Sequence, residues 1–163
     1  MPKLTPTVLR QAFGAFPSGV IALCGRVDGE PSGLACSSFN SVSLDPPLVS
    51  VCIAKTSATW PGLRMASRLG ISVLTSSQVE VARKLSAKGI DRFGGVLWTA
   101  TPEGAIFIED AALWIDSSVR HEVDAGDHVI VLLNVEALVT GSDAAPMIFH
   151  RSAFLTIDRS ESQ

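Results

Sequence analysis

The chain has 163 residues, of which 47% are hydrophobic and only 18% charged, and its formal net charge is −3. This length suits one domain with a sizeable core, so we expect a single domain over residues 1–163, its core over about residues 5–158 and a polar tail over 159–163. No stretch approaches the ~18 consecutive apolar residues of a membrane-spanning helix, and no basic cluster suits a nucleic-acid backbone.

The first third of the chain predicts one helix followed by strands. Apolar residues at helical spacing predict a helix over residues 5–16, capped by Thr5 or Thr7 and ended by Pro17. We expect the next three elements to be strands over residues 20–27, 33–41 and 48–54. The third is apolar throughout, so we expect it to be central in the sheet. Asp28-Gly29 predicts a hairpin turn between the first two strands.

The remainder of the chain predicts two short helices among further strands. Ser57 or Thr59 could cap a helix ending near Ser67, and the capping-box pattern from Ser77 to Glu80 predicts a second helix. Strands are expected over residues 69–74, 111–123, 128–140 and 149–157, with a loop over 89–104 and a turn at 125–127. Roughly seven strands, mostly joined by hairpins, predict a mainly β fold with short helices, an antiparallel barrel.

Residues that usually carry catalysis form no constellation in this sequence. The three histidines lack metal-ligand spacing, and there is no G-x-S-x-G motif and no G-x-G-x-x-G after the first strand. Cys24, Cys36 and Cys52 lie far apart in apolar strands, which favours a reduced, cytoplasmic protein. We therefore expect no metal and a bound cofactor that supplies the chemistry.

The most informative segment is 33–49, which carries Ser37, Ser38, Asn40 and Ser41 before an Asp-Pro-Pro corner. Serine hydroxyls and approachable backbone N–H groups suit a flat ligand with polar edges. The alternative is an ordinary strand whose serines face solvent, and the residues alone divide these two interpretations evenly.

A second polar segment follows, from Lys55 to Thr59, where hydroxyls gather at an expected helix start. Anions are favoured at such a position, so one interpretation is a phosphate site. The other is a plain helix cap, and the residues alone favour that simpler interpretation.

Five segments in order resemble the short-chain flavin reductase family. Phe-Gly-Ala-Phe-Pro-Ser-Gly-Val is similar to its aromatic entry, Ser-Ser-Phe-Asn-Ser-Val-Ser-Leu-Asp-Pro-Pro to its core motif, and Gly-Asp-His to its turn before a long strand. These segments and the two that resemble the family's middle loop and C-terminal segment cover residues 13–20, 37–49, 92–98, 126–128 and 149–151. Each is a weak signal alone, whereas five in register are a strong one.

The resemblance implies an FMN-binding antiparallel split β-barrel that forms a homodimer. It also implies hydride transfer from NADH or NADPH to FMN or FAD, with the reduced flavin passed to a separate monooxygenase. Such a transfer needs the reacting atoms held about 3–3.5 Å apart and no acid or base of unusual pKa. Positioning would then fall to Ser38, Asn40 and His128.

The same resemblance implies two groups of binding residues. The implied flavin contacts are Cys36, Ser37, Ser38, Phe39, Asn40, Ser41, Lys55, Thr56, Ser57, Thr59, Ser86, Lys88 and Arg92. The implied nicotinamide contacts are Phe16, Pro17, His128, Arg151 and Phe154. The chain departs from the family at Ala35-Cys36, where a threonine-containing pair is common, and at Ala153-Phe154, where a basic residue and a tyrosine are common.

Two other functions stay open beside a flavin reductase. One is a split-barrel protein with tightly held FMN that acts on another acceptor, and the other is a non-catalytic flavin- or haem-binding module. The Gly126-Asp127-His128 turn favours the reductase.

Overall fold

The computed structural model describes residues 3–157, in which short helices flank a predominantly antiparallel β structure. Helix α1 spans Pro6–Phe13, α2 spans Trp60–Leu63 and α3 spans Val79–Ser86. The side chain of Thr5 caps α1 by accepting a hydrogen bond from the Val8 N–H at 3.3 Å. Of the two caps that the sequence offered, Thr5 is therefore the one used.

Twelve strands are described, and most pair with a neighbour in sequence. They are β1 (Ser18–Gly19), β2 (Ile21–Val27), β3 (Glu30–Cys36), β4 (Asn40–Leu44), β5 (Pro47–Ala54), β6 (Leu69–Val73), β7 (Trp98–Ala100), β8 (Ile106–Ile108), β9 (Leu113–Ala125), β10 (His128–Thr140), β11 (Met147–His150) and β12 (Ala153–Thr156).

One seven-stranded sheet organises the molecule, with strand order β3-β2-β6-β9-β10-β5-β4 and antiparallel neighbours throughout. The sheet does not close on itself, because β3 and β4 remain its two edges. Two smaller sheets have the strand orders β1-β11-β12 and β7-β8. This arrangement confirms the predicted antiparallel split β-barrel.

Two hydrophobic clusters stabilise the sheet, one on each face of β2. Leu23, Ile71 and Val131 belong to the cluster inside the curved sheet. Ala22 and Leu85 belong to the second cluster, which lies under α3. Strand β2 is buried on both faces for this reason, and each fully buried aliphatic side chain contributes about 1.5–3 kcal/mol to the free energy of unfolding.

The strand predicted over residues 33–41 is wrong, because the chain leaves the sheet after Cys36 and re-enters it at Asn40 as β4. The Ser38 hydroxyl accepts a hydrogen bond from the Cys52 N–H at 2.8 Å and donates to the Cys52 carbonyl at 3.1 Å. A side chain thus replaces the strand-to-strand pairing at the bend. Strand β5 is also not central, since it lies between β10 and the edge strand β4.

Three further local predictions are corrected by the structure. The capping box forms between Thr75 and Gln78, not between Ser77 and Glu80, and a 3-10 turn precedes α3. The loop predicted over residues 89–104 contains β7, which pairs with β8, a strand the sequence analysis missed. The last predicted strand is a hairpin, β11 and β12.

Residues 3–157 include no helix that combines the length and the apolar character needed to traverse a bilayer. The predicted polar tail over residues 159–163 lies outside the described residues. The expectation of a single domain stays a prediction.

Candidate cofactor-binding site

A cleft of about 290 Å³ opens between the ends of β3 and β5, the segment before α2 and the C-terminal end of α3. We call it the inner cleft. Its walls are apolar where the strands and α3 meet, because Leu34, Ile53 and Leu85 are buried there. Seven of the predicted flavin contacts line it, namely Cys36, Thr56, Ser57, Thr59, Ser86, Lys88 and Arg92.

A second, larger cleft of about 540 Å³ lies beside it, between α1, the start of β10 and the β11–β12 turn. We call it the outer cleft. It is lined by Phe16, Ser37, His128 and Arg151 from the predicted binding residues. The two clefts together therefore collect residues from widely separated parts of the sequence.

A small hollow of about 110 Å³ connects the two clefts. It shares Cys36 and Ser86 with the inner cleft, and Ser37 and Phe149 with the outer cleft. Phe154, predicted to contact nicotinamide, lines this connection and packs against Phe149 with ring centroids 5.4 Å apart. The hollow thus shares lining residues with each cleft, and we call the two clefts and the hollow together the groove.

Arg92 fixes the shape of the inner cleft by bonding to three segments at once. Its Nη1 donates to the Thr59 hydroxyl at 2.7 Å and to the Gly33 carbonyl at 2.8 Å. Its Nε donates to the Ala87 carbonyl at 2.8 Å. The guanidinium therefore ties β3, the start of α2 and the end of α3 together, as its planar fork of donors allows.

Two hydroxyls at the mouth of the inner cleft are positioned by hydrogen bonds that they accept. Ser57 Oγ accepts from the Trp60 N–H at 3.2 Å, and Thr59 Oγ1 accepts from Arg92. A hydroxyl that accepts one bond keeps its own O–H for a further acceptor. With Arg92 and Lys88 beside them, these hydroxyls offer both donors and positive charge, a set suited to a phosphate group.

The structure does not bring every predicted flavin contact into the inner cleft. The Lys55 ammonium pairs with the Asp124 carboxylate. The Asn40 amide donates to the Ser38 carbonyl at 3.1 Å. Phe39 packs against the hydrophobic cluster inside the curved sheet, and Ser41 is exposed on β4.

On the nicotinamide side, Pro17 is exposed and is not among the residues that line the outer cleft.

Ser37, a predicted flavin contact, lines the outer cleft and the connecting hollow instead of the inner cleft. The hydroxyl of Ser38 is committed to Cys52, so only its backbone is left for a ligand.

Cys36 lies where the inner cleft meets the connecting hollow. Burial raises the pKa of its thiol to about 11, and burial raises the pKa of Cys24 further still. Cys36 is therefore a protonated, weakly polar wall and not a nucleophile, because the thiolate is the reactive form. Over residues 3–157, no three His, Cys, Asp or Glu side chains are arranged to hold a metal ion.

His128 stands at the start of β10, directly opposite Ala54 of β5 in the sheet. Its Nδ1 is 2.7 Å from Asp127 Oδ1, and this hydrogen bond holds the pKa of Asp127 below its usual range. The Asp127 carbonyl accepts from the Lys55 N–H at 2.9 Å. Because Asp127 engages Nδ1, Nε2 is the ring nitrogen left for a ligand in the outer cleft.

Sequence reasoning missed several residues that line the groove. Arg10 and Phe13 of α1 line the outer cleft, as does Ser152 of the β11–β12 turn. Arg10 carries no local signal, because a charged residue in the last turn of a helix is ordinary. The burial of β5 alternates with a period of two residues, but its sequence is almost entirely apolar and does not show which side chains form the wall.

Comparisons with known proteins place this geometry in a family. The flavin reductase like domain matches residues 13–158. A flavin reductase of Pseudomonas putida is 34% identical over 152 residues, covering 93% of this chain and 89% of that protein. The reductase subunit HsaB of a flavin-dependent monooxygenase from Mycobacterium tuberculosis is 33% identical over 158 residues, covering 96% and 84%.

A solved structure agrees with these matches. The NADH:FAD oxidoreductase SgcE6 of Streptomyces globisporus C-1027, in complex with NAD and FAD fragments, has a TM-score of 0.90 and 30% sequence identity to this chain. The similarity covers 99% of both chains.

Proposed function

The chain belongs to the flavin reductase-like domain family, and from this premise we propose that it is an NAD(P)H:flavin oxidoreductase. It transfers a hydride from a reduced nicotinamide nucleotide to FMN or FAD. The observation that carries the proposal is that the inner cleft and the cleft lined by His128 both adjoin one hollow, which Cys36 and Ser37 line.

The residues of the inner cleft fit a flavin in both of its chemical parts. The apolar walls from Leu34, Ile53 and Leu85 suit the flat ring system. The hydroxyls of Ser57 and Thr59 with Arg92 suit the phosphate that ends the ribityl chain. We assign flavin binding to this cleft, with Lys88 and Ser86 at its rim.

The outer cleft suits the nicotinamide nucleotide because it adjoins the inner cleft and is open to solvent. His128 and Ser37 offer polar groups near the junction, and the rings of Phe16 and Phe154 offer surfaces for stacking. Phe16 is 80% exposed, so it is available to a ligand that arrives from solvent.

In the mechanism, the protein contributes position more than acid–base chemistry. Flavin, when bound, accepts the hydride and can release the electrons to another acceptor. His128, oriented by Asp127, directs the nicotinamide ring toward the inner cleft. Phe149 and Phe154 pack against each other and give the connecting hollow an apolar wall.

A flavin-dependent monooxygenase is the partner that the family supports, since one relative is the reductase subunit of such an enzyme. The reduced flavin is supplied to it by diffusion.

We also propose that the chain forms a homodimer. Leu44 at the end of edge strand β4 is 95% exposed, and Leu138 and Val139 at the far end of β10 are each 58% exposed. Exposed apolar side chains beside an unpaired strand favour pairing with a second copy.

The reductase assay follows NADH or NADPH oxidation at 340 nm with added FMN, FAD or riboflavin. We expect oxidation to depend on added flavin, and a purified monooxygenase to consume the reduced flavin. A protein that oxidises neither nucleotide with any flavin would contradict the proposed activity. Sedimentation tests the homodimer separately, because a species of 17.2 kDa at micromolar concentration would contradict it.

A further inference from the structure

Two arginines line both the outer cleft and a hollow beside it that shares no lining residue with the inner cleft. Arg10 and Arg151 border both the outer cleft and an adjoining hollow of about 350 Å³. Gln11, Gly14 and Ser152 complete the wall of this hollow. Two cationic forks beside one open hollow suit an anion with several oxygens.

The fold holds the two arginines together through one backbone contact. Arg10 lies in the last turn of α1, and the Arg151 N–H donates to the Gly14 carbonyl at 3.0 Å just after that helix. Arg151 and Ser152 form the β11–β12 turn with φ values of 48° and 63°. Asparagine and glycine are the usual residues at turn positions with positive φ. An arginine at such a position is therefore a candidate functional residue.

The charges of these arginines are available to a ligand. Among residues 3–157, neither arginine takes part in an ion pair within the chain. The pKa of the Asp127 carboxyl is lowered first by its hydrogen bond to His128 and least by the charge of Arg10. Arg10 and His128 both line the outer cleft.

We propose that Arg10 and Arg151 bind the phosphate groups of the reduced nicotinamide nucleotide. The proposal rests on the proposed function, because it assigns the outer end of the same nucleotide site. With the nicotinamide ring at His128, beside the inner cleft, the rest of the dinucleotide extends outward to the two arginines. The pyrophosphate of NADH and NADPH and the 2′-phosphate of NADPH offer the same chemistry here.

Steady-state kinetics with three hydride donors test this assignment at saturating FMN. The variants are Arg10→Ala and Arg151→Asn, since asparagine tolerates the positive φ at residue 151. The control is Arg83→Ala, which removes an exposed arginine of α3 that pairs with Glu80. The donors are NADH, NADPH and 1-benzyl-1,4-dihydronicotinamide, which has no phosphate.

We expect each variant to raise KM for NADH and NADPH about tenfold, as for loss of one charge-assisted contact, with kcat little changed. The benzyl donor and the FMN dissociation constant should be unaffected, and Arg83→Ala should match the wild type. An equal increase for both nucleotides assigns the pyrophosphate, and an increase for NADPH alone assigns the 2′-phosphate. Both results support the proposal.

Unchanged KM for both nucleotides, or an equal loss with the benzyl donor, would overturn the proposal while the reductase function stands. A wild-type protein that oxidises no nucleotide would instead overturn the function on which it rests. Salt provides a measurement that needs no variant. The wild-type KM for NADH should rise with ionic strength while that for the benzyl donor stays constant, and an NADH KM independent of salt would contradict the arginine site.

Discussion

The inner and outer clefts adjoin each other but are built in opposite ways. The inner cleft is fixed by internal hydrogen bonds, three from Arg92 alone. The outer cleft is bordered by exposed side chains such as Phe13 and Phe16, which are 70% and 80% exposed. A preformed cleft binds a ligand without ordering new groups on binding, whereas an exposed one adapts to a substrate that must come and go.

The origin of this difference lies in the path of the chain. The inner cleft forms at the ends of β3 and β5 within the seven-stranded sheet, where neighbouring backbone is already paired. The outer cleft forms between α1, the Gly-Asp-His turn and the three-stranded sheet, whose hairpin turn meets α1 through the Arg151–Gly14 bond. Variants in the two clefts should therefore differ in what they lose.

Replacement of Arg92 should have the largest effect, because it removes the link between three segments of the inner cleft. We expect Arg92→Ala to lower the free energy of unfolding by about 2–3 kcal/mol and FMN affinity by about 100-fold. Chemical denaturation and flavin fluorescence measure the two quantities. Arg120→Ala is the control, since Arg120 makes one exposed bond to Asn134. If Arg92→Ala lowers the free energy of unfolding and FMN affinity no more than Arg120→Ala does, the inner cleft is not preformed.

The double replacement Ser57→Ala, Thr59→Ala tests the phosphate end of the inner cleft. Loss of two hydroxyl donors to an anion should weaken FMN about 30-fold, and riboflavin less than about threefold because it has no phosphate. Flavin fluorescence titration measures both dissociation constants, with Ser67→Ala, a hydroxyl bonded to the Glu103 carbonyl, as control. An equal loss for the two flavins would refute the phosphate assignment.

His128→Ala tests the outer cleft where it adjoins the inner one. Removal of one polar contact to the nicotinamide should cost about 1–2 kcal/mol, roughly tenfold in kcat/KM for NADH. Flavin affinity should be unchanged, and the exposed His121→Ala should affect neither quantity. Weakened flavin binding with normal NADH kinetics would assign His128 to the wrong ligand, and no change at all would leave it as a turn residue.

Lys55→Ala should have the smallest effect. Lys55 was predicted to contact the flavin phosphate, but its ammonium pairs with Asp124 on the exposed β9–β10 hairpin. Exposed ion pairs contribute about 0–1 kcal/mol, so we expect FMN affinity to change less than about threefold. A loss of FMN affinity comparable to that of the Ser57 and Thr59 variant would show that Lys55 does contact the flavin phosphate.

Local signals in the sequence were enough for the barrel, whereas the predicted residues that line the groove came from the family resemblance. Asp28-Gly29 does form a turn, with both residues at positive φ, and the long β9–β10 hairpin turns at Gly126. The family resemblance placed His128 beside the flavin segment, and sheet register does set His128 opposite Ala54.

The features that sequence reasoning missed depend on contacts between distant residues. The bend after Cys36 is stabilised by Ser38 bonding to Cys52, fourteen residues away. Arg92 likewise reaches Gly33, fifty-nine residues away. Arg10 joins the outer cleft only because the β11–β12 turn docks beside α1. No local pattern reports such long-range pairing.

The central claim is that flavin and nicotinamide nucleotide occupy adjoining clefts at the same time. Initial rates on flavin-free protein, with NADH and FMN both varied around their KM values, test it most directly. We expect double-reciprocal plots of initial rate with intersecting lines, because both ligands must be bound before the hydride is transferred. Parallel lines would show that the nucleotide leaves before the added flavin enters, with a flavin retained by the protein carrying the hydride between them, and would contradict an account in which added flavin and nucleotide are bound together.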